Sequence, residues 1–592
     1  MTRIAGTPAP SNAGADGVTN ADVARVFREV AELLEVQGAN PFRIRAYTNA
    51  ARTIEELPDA VGTLVAADGK RLAALPGIGA DLAGKVGEIV RTGRLRMLRE
   101  LRRAAPPGAV ALMSVPGVGP KRARMLAKAL HVRSVEGLAR AVRTHRVREL
   151  PGFGAQTEAS LAQALAAHAG AEPRMLRAAA ADYAEALVAR LRAVPGVKRV
   201  EIAGSYRRAR ETVGDIDILV TGTDHPAVVS AFVEDPAVGR VLARGRTRAA
   251  VRLRSGLQVD LRILDESSYG AGLYYFTGSK AHNIAVRKMA RDRGLKINEY
   301  GVYRGAKRIA GRTEEEVASA VGLGWIPPEL REARGELEAA SAGTLPHLIQ
   351  LGDVRGDLQV HTTDSDGRDA LEAMAEAAEA LGYEYLAVTD HSPALAMVRG
   401  LDADGFRKQM RRINRLNARL RSLTILKGAE VDILADGTLD LDDATLAEFD
   451  IVLVALHSKL TLPPAAQTTR LVRALRHPLV DVLAHPTGRL INRRRGAQFD
   501  ADEVFKVAAS EGKMIEVNTQ PERLDLDDVG ARAAIAHGVT LTLGTDAHST
   551  AELGFMRWGV DQARRGWAAK TDVLNTRPLA GVLDRLHRER SR

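Results

Sequence analysis

Three aspartates near the middle of the chain are spaced as a metal-dependent phosphoryl-transfer site requires. Asp215 and Asp217 lie in Gly214-Asp-Ile-Asp217, directly before the apolar run Ile-Leu-Val. In a strand, residues i and i+2 point to the same face, so the two carboxylates stand side by side. Asp260 belongs to a second strand-like run, LQVD followed by LRIL. Neighbouring carboxylates repel one another unless a cation neutralises them, and three can hold two divalent ions. One ion would activate a hydroxyl nucleophile; the other would hold a triphosphate and stabilise the departing pyrophosphate. Upstream, the Gly204-Ser205 turn can offer backbone N–H groups to a phosphate, and Arg208 adds positive charge. A lone Asp-x-Asp is more often a solvated strand end. The Gly-Ser turn before it and a third aspartate in a later strand weigh against that reading here.

A second set of chemically capable residues fills the C-terminal third. His361 follows GDLQV, His391 follows EYLAVTD, and Glu430 follows LTILKGA. His457 follows DIVLVAL, and His485 follows LVDVLA. Glu516 and Asn518 lie in MIEVN, and Asp546 and His548 in LTLGTDAH. The shared pattern is an apolar strand ending in a metal-ligand type. In β/α barrels the strand C-termini converge on one face, which would gather these groups into one cluster. Imidazole mixed with carboxylate suits Zn²⁺ or Mn²⁺. A single histidine is more often a satisfied core residue, but a ligand type at nearly every strand end is not explained that way.

The elements that must position these groups can be read along the chain. Leu75-Pro-Gly-Ile-Gly79, Val115-Pro-Gly-Val-Gly119 and Leu150-Pro-Gly-Phe-Gly154 repeat one pattern, each followed by a helical run. The glycine pairs, Gly77 with Gly79, Gly117 with Gly119 and Gly152 with Gly154, permit tight turns that leave helix N-termini free to meet phosphate. Lys121, Arg122 and Arg124 stand beside the second copy. Residues 1–168 hold 24 Lys and Arg against 15 Asp and Glu, within a chain of net charge +11, so the N-terminal third suits a polyanion. Among 592 residues there is no cysteine, which excludes disulfides and thiolate metal sites. The first twenty residues lack the apolar stretch of a signal peptide.

The pattern resembles several known modules. The Pro-Gly repeats resemble the helix-hairpin-helix motif, which grips the DNA backbone without reading sequence. The aspartates, with Tyr275-Phe-Thr-Gly-Ser279, Asn283, Arg287 and Ile297-Asn-Glu-Tyr300, resemble family X DNA polymerases over about residues 20–320. That resemblance implies triphosphate contacts by Ser205, Arg208 and Gly214, beside the Gly204 turn. It implies a sugar-sensing wall at Tyr275, Phe276 and Gly278, a base contact at Asn283, and DNA contacts at Arg262 and Arg287. It also implies a lyase-type Schiff-base lysine at Lys85, although Asp81 stands where the family pattern has a second lysine. The C-terminal third is similar to the PHP (polymerase and histidinol phosphatase) family. By that resemblance its ligands are His361, Asp366, His391, Glu430, His457, His485, Asp546 and His548, with Gln359 where the family usually has a histidine.

The expected architecture is multidomain α+β. A tail spans 1–19 and a helical lyase-like domain 20–105. A helix-hairpin-helix fingers subdomain covers 106–172, a nucleotidyltransferase palm with a mixed sheet 173–265, and a thumb-like subdomain 266–325. A linker, 326–351, leads to a distorted β/α barrel over 352–592. The expected function is short-gap filling in DNA repair, joined to 3′→5′ exonuclease or 3′-phosphoesterase action. Expected cofactors are Mg²⁺ or Mn²⁺ at the aspartates and Zn²⁺ or Mn²⁺ in the barrel. Expected partners are gapped or nicked duplex DNA and dNTPs. The chain reads as a monomer, cytoplasmic and nucleoid-associated, with no membrane segment. Two alternatives stay open: a barrel that is structural only, or a DNA-binding scaffold without synthesis.

Overall fold

The computed structural model describes residues 18, 20–55, 57, 61–66, 70–73, 75, 77–106, 108–113, 115, 118–168, 174–394 and 398–590. The expected tail therefore lies almost wholly outside the described residues, as does Gly117. The chain divides into two compact units. One comprises Met1–Gly204, Thr212–Phe276 and Asn492–Arg494; the other comprises Ser205–Glu211, Thr277–Ile491 and Arg495–Arg592.

The first unit opens with helices. Three of them, α1 (Ala80–Thr92), α2 (Pro120–Ala129) and α3 (Ala155–His168), follow the three Pro-Gly turns. Each turn closes with the same backbone hydrogen bond: Ile78 N to Leu75 O, Val118 N to Val115 O, and Phe153 N to Leu150 O. In each, the residue between the glycines is buried, which anchors the turn to its helical core. Gly77 and Gly152 have φ of 76° and 81°, the left-handed region that a side chain would strain.

A five-stranded sheet follows. Its strands are β1 (Val197–Ile202), β2 (Asp215–Gly222), β3 (Val238–Arg244), β4 (Arg248–Leu253) and β5 (Gln258–Ile263). Their spatial order is β1-β2-β5-β4-β3, with β2 and β5 parallel and the other pairs antiparallel. Between β1 and β2 lies the one-turn helix α4 (Gly204–Arg207), and between β2 and β3 lies α5 (His225–Val233). Asp224 caps α5 by accepting from Ala227 N. After the sheet come α6 (Tyr269–Thr277) and α7 (Lys280–Asp292).

The second unit holds a seven-stranded parallel sheet in sequential order: β6 (Gly356–Val360), β7 (Tyr385–Val388), β8 (Thr424–Asp432), β9 (Ile451–Ala455), β10 (Val482–Leu483), β11 (Met514–Asn518) and β12 (Leu541–Gly544). Runs such as Ile-Val-Leu-Val-Ala in β9 are buried throughout, as expected where helices cover a sheet that is also lined inside. The sheet closes on itself. Val360 bridges Ala547 in parallel, His361 N donates to Ala547 O, and Asp546 N donates to Gln359 O. The buried Asn575 side chain secures the same seam: its amide donates to Gly356 O and Leu543 O, and it accepts from Leu543 N.

The stretch 326–351, expected to be a linker, is instead packed. It contains a 3₁₀ turn (Pro328–Leu330) and a helix, α8 (Glu336–Ala342), with Arg331 and Glu336 fully buried. Its charged residues read as solvated only because their partners are distant in sequence. His282 Nδ1 lies 2.7 Å from Glu336 Oε1. Arg331 joins Arg207 on Glu314, at 2.7 Å each. Burial alone would raise the Glu314 pKa, but hydrogen bonds and charge from Arg207 and Arg331 outweigh it and hold it at about 2. A carboxylate depressed from 4.5 contributes stability that is complete above pH 4.5 and is lost as pH falls toward 2. Glu314→Gln strands the buried Arg331 and should cost about 3–5 kcal/mol near neutral pH. Urea melts of both proteins between pH 7 and pH 2.5 check this: the gap should narrow below pH 4.5, and a gap independent of pH would contradict it.

Candidate functional sites: a carboxylate face and a histidine-lined barrel mouth

In the sheet of the first unit, Asp217 pairs with Asp260 across the parallel β2–β5 ladder, and Asp215 pairs with Gln258. Paired residues share a face, so Asp215, Asp217 and Asp260 project together, as the strand period implied. Asp260 lies mid-strand rather than at a strand end, because β5 runs on to Ile263. Gln258 Nε2 donates to Asp260 Oδ2 at 2.8 Å and Arg252 Nη2 to Gln258 Oε1 at 3.2 Å. Gly204, with φ 65°, packs so closely that a Cβ there would sit 2.7 Å from Asp217 Oδ2. The turn before α4 therefore requires glycine for two reasons: its backbone angle and the room it leaves this carboxylate. Arg262 stacks over Phe276, 4.5 Å from the ring centroid, and Tyr275 meets Phe276 edge to face.

Of the other residues drawn from the resemblance, Gly214 directly precedes β2 in the first unit, and the rest fall in the second unit or in the helical region. Ser205 Oγ is buried with no hydrogen-bond partner. Arg208 donates from Nη1 to Thr277 O and from Nε to Glu332 Oε1, the latter at 3.1 Å. Helix α9 (Met556–Arg565) closes this cluster. Arg565 Nη1 donates to Arg208 O at 2.7 Å and to Glu332 Oε1 at 3.1 Å. Gly278 has φ 72°, and Ser279 caps α7, where Asn283 and Arg287 lie one turn apart with Arg287 exposed. Gly79 and Gly119 precede α1 and α2 in extended conformation, without a side-chain cap. A Cβ at Gly79, Gly119 or Gly154 would meet nothing within 4 Å, so backbone could approach those helix ends. Lys121 is exposed in the first turn of α2. Lys85 is ion-paired to Asp81, so the departure from the family pattern has a direct physical effect: a carboxylate engages the amine expected to attack a sugar.

At the barrel mouth the strand-end residues converge. Glu430 lies inside β8 rather than after it, and its carboxylate is surrounded by four imidazoles. His485 Nε2 is 2.7 Å from it, His457 Nε2 3.2 Å, His391 Nδ1 3.3 Å and His361 Nε2 3.4 Å. His361 Nε2 also approaches Asp546 Oδ1 at 3.1 Å, and His548 Nε2 approaches Asp366 Oδ2 at 3.3 Å. Three groups bring one ligand atom per residue within 4.8 Å of one another: His361, Asp366, His391 and His548; His391, Glu430 and His457; and His361, Glu430 and Asp546. His485 stands outside these groups. Gln359 is buried, and neither of its amide atoms has a hydrogen-bond partner.

The charges at this mouth pull in opposite directions. Burial lowers the His361 pKa, but Asp546, Glu430 and Asp366 overcome it and push it up to about 10. Burial drives His391 down to about 3 despite Glu430, with the charges of His361 and His457 adding to the fall. Burial would raise Glu430, yet the surrounding imidazoles hold it well below the usual carboxylate range. Both His361 nitrogens, His391 Nδ1 and Glu430 Oε2 are buried without a properly directed hydrogen bond. Such donors, close together but not bonded to one another, fit divalent ions.

Sequence reading missed the residues that aim these ligands. Asp432 Oδ1 lies 3.1 Å from His457 Nδ1, fixing that ring from behind. Its position two residues after Glu430 was the available signal. Asp390 accepts from Thr362 N and Oγ1, from Ser365 Oγ and from Gln409 Nε2, which pins the loop carrying Asp366. Glu516, which the sequence pattern did single out, accepts from His485 N, and burial pushes its pKa well up, reinforced by the charge of Asp546.

Fold and sites together define a nucleotidyltransferase sheet in one chain with a metal-binding β/α barrel. Family models agree: a helix-hairpin-helix domain over 18–95, a SAM-like helix-hairpin-helix tandem over 109–167, DNA polymerase beta palm over 174–267, DNA polymerase beta thumb over 272–332, and a PHP domain over 357–520. DNA polymerase/3′-5′ exonuclease PolX of Bacillus subtilis (strain 168) is 39% identical over 95% of this chain and 98% of its own length. DNA polymerase lambda of Arabidopsis thaliana is 26% identical over 53% of this chain and 62% of its own. A probable phosphatase of Acetivibrio thermocellus is 30% identical over 33% of this chain and 81% of its own. The chain belongs to the bacterial family X DNA polymerases that carry a PHP domain.

Glu430 belongs to two of the three ligand groups and Asp366 to one. Metal content after dialysis against Mn²⁺, read by elemental mass spectrometry, should therefore fall further in Glu430→Gln than in Asp366→Asn. Gln359→Ala should lower it less than Glu430→Gln does, since an amide oxygen is a weaker donor than a carboxylate, and a loss there as large as at Glu430 would overturn this ranking.

Proposed function

We propose that this protein synthesises DNA at short gaps and trims the 3′ end of the same strand. The observation that carries the reading is the register of β2 and β5, which puts Asp215, Asp217 and Asp260 on one face. In this reading the three carboxylates hold Mg²⁺ or Mn²⁺, which would supply charge neutralisation of the triphosphate and a more acidic 3′-hydroxyl. Gly204, Ser205, Arg208 and Gly214 receive the triphosphate. Tyr275, Phe276 and Gly278 flank the sugar, Asn283 meets the incoming base, and Arg262 and Arg287 meet the DNA. The Pro-Gly turns with Gly77, Gly79, Gly117, Gly119, Gly152, Gly154 and Lys121 hold the duplex on either side of the gap by its phosphates.

The barrel residues hold Zn²⁺ or Mn²⁺, which would supply an activated water for phosphodiester hydrolysis. In that role Asp432 keeps His457 turned toward Glu430, and Asp390 keeps the Asp366 loop in place. Base excision repair supplies the matching substrates, gapped or nicked duplexes and dNTPs. In this reading the protein works on nucleoid DNA as a monomer. Among the described residues, no helix is long and apolar enough to cross a membrane. The Lys85–Asp81 pair weighs against lyase action at this position.

The two activities should separate by substitution. On a gapped duplex with a labelled primer, Asp260→Ala should reduce dNTP incorporation by about a thousandfold and leave Mn²⁺-dependent shortening of the primer intact. His548→Ala should do the reverse. Unchanged shortening in His548→Ala would favour a barrel that is structural only. Unchanged extension in Asp260→Ala would end the polymerase reading.

A further inference from the structure

The carboxylate sheet carries a basic feature that none of the assigned roles uses. No acidic residue stands between Asp235 and Asp260, while that interval holds Arg240, Arg244, Arg246, Arg248, Arg252 and Arg254. All six are exposed. They lie on the β3–β4 hairpin and its two turns, and β3 is the edge strand of the sheet.

Register separates the six by face. Arg252 pairs with Gln258, Ala250 with Asp260, and Arg248 with Arg262. Arg240 pairs with Arg252, and Ala243 with Ala250. Directly paired residues share a face, so Arg240, Arg248 and Arg252 stand on the same face as Asp215, Asp217 and Asp260. One row reads Asp215, Gln258, Arg252, Arg240 across four strands, a span of roughly 14 Å at the usual strand spacing. The row beside it reads Asp217, Asp260, Ala250, Ala243. Small side chains thus leave a lane that runs from the carboxylates to the sheet edge, with arginines on both sides. Arg252 is tied to the catalytic group itself through Gln258, which bonds Asp260.

The duller explanation is that arginines on an edge strand deter sheet-to-sheet aggregation. It would account for Arg240 and Arg244. It does not account for Arg248 and Arg252, which lie on the second strand, beside the carboxylates. Nor does it account for the pairing pattern. Arg244, which reaches Ser230 of α5 on the opposite face, has an acidic neighbour, Glu234, at 3.8 Å. Arg240, Arg248 and Arg252 have no ion pair among the described residues, so three cations on one face await an anion from outside. Beyond β2, strand β1 presents Glu201, paired with Leu219, on that face, next to one arginine, Arg199, paired with Thr221 and stacked over Tyr269.

We infer that Arg240, Arg248 and Arg252 form a phosphate track for the strand whose 3′ end lies at the carboxylates, gripping the primer's backbone just upstream of its terminus. A strand that places its 3′-hydroxyl on Asp215, Asp217 and Asp260 brings its own preceding phosphates nearest to them. Among the described residues, the arginines that flank this face in adjacent, cross-strand positions are those along the Ala250–Ala243 lane. The assignment to the primer rests on the polymerase reading above. The track would act on any sequence, since guanidinium groups on a sheet surface meet backbone rather than base edges.

The test uses the full-length protein and a fluorescent gapped duplex, with the Kd measured by anisotropy across a salt series. Each lost phosphate contact lowers the slope of log K against log salt by about 0.9. Arg240→Ala/Arg252→Ala should therefore be shallower by about 2, with KM for DNA raised and KM for dNTP unchanged. Arg240→Lys/Arg252→Lys should keep the wild-type slope, because it keeps the charge. Neutral methylphosphonate linkages at the second and third positions upstream of the primer terminus should lower the wild-type slope and leave that of the alanine pair unchanged. An unaltered slope in the alanine pair would overturn the track. So would a slope that responds only to neutral linkages in the template strand. Primer extension by the wild-type protein on the same duplex checks the polymerase reading separately, since its absence would sink that reading whatever the slopes show.

Discussion

Like charges forced together must be neutralised, and both sites of this protein are built around that constraint. On the sheet, three carboxylates share one face, where Gln258 donates a hydrogen bond to Asp260 and Gly204 leaves room for Asp217. At the barrel mouth the same problem has another solution, because four imidazoles surround Glu430 and hold its charge. The carboxylates of the sheet do not appear among the groups drawn within 4.8 Å, whereas the barrel forms three such groups. The difference follows from donor chemistry. Imidazoles can carry a proton and attract carboxylates into a compact cluster; carboxylates alone can only repel.

The period-two rule was enough to place Asp215 and Asp217 together, and it needed only the parallel pairing of β2 with β5 to bring in Asp260. The barrel was legible for a similar reason: an apolar run that ends in a ligand type fixes both a strand and the direction its end points. What could not be read were relations between distant residues. Charged side chains in 326–351 suggested solvent because their partners, His282 and Glu314, lie in other elements. Asp390 was only the last letter of the run before His391, and it is the loop folded back onto it that shows it supports the loop of Asp366. Gln359 sits at the expected place on β6, and what sequence could not show is that both of its amide atoms are buried without a hydrogen-bond partner. Sequence spacing fixes a Cα, and distances between side-chain atoms depend on packing that spacing does not encode.

The barrel's way of holding its ligands also explains how it could depart from its family at one position. The ligands sit in, or shortly after, several different strands, and the strands are secured by backbone ladders and by the Asn575 seam rather than by the ligands. A glutamine at 359 therefore leaves the neighbouring strand ends where they were. The sheet site has less latitude, because Gly204 touches Asp217 and Gln258 touches Asp260, so one change there disturbs a neighbour at once.

Arg565 gives the joined architecture a different meaning. It grows from a helix of the barrel, is almost wholly buried, and ends on the carbonyl oxygen of Arg208 and on Glu332, the partner of that arginine's guanidinium. The barrel is thus not a detachable cassette in inheritance. A gene rearrangement that removed it would leave the Arg208 carbonyl bare and Glu332 with one of its two arginines. Lineages that discard the barrel would have to rebuild that contact, and lineages that keep it have a reason to do so even if they no longer hydrolyse anything.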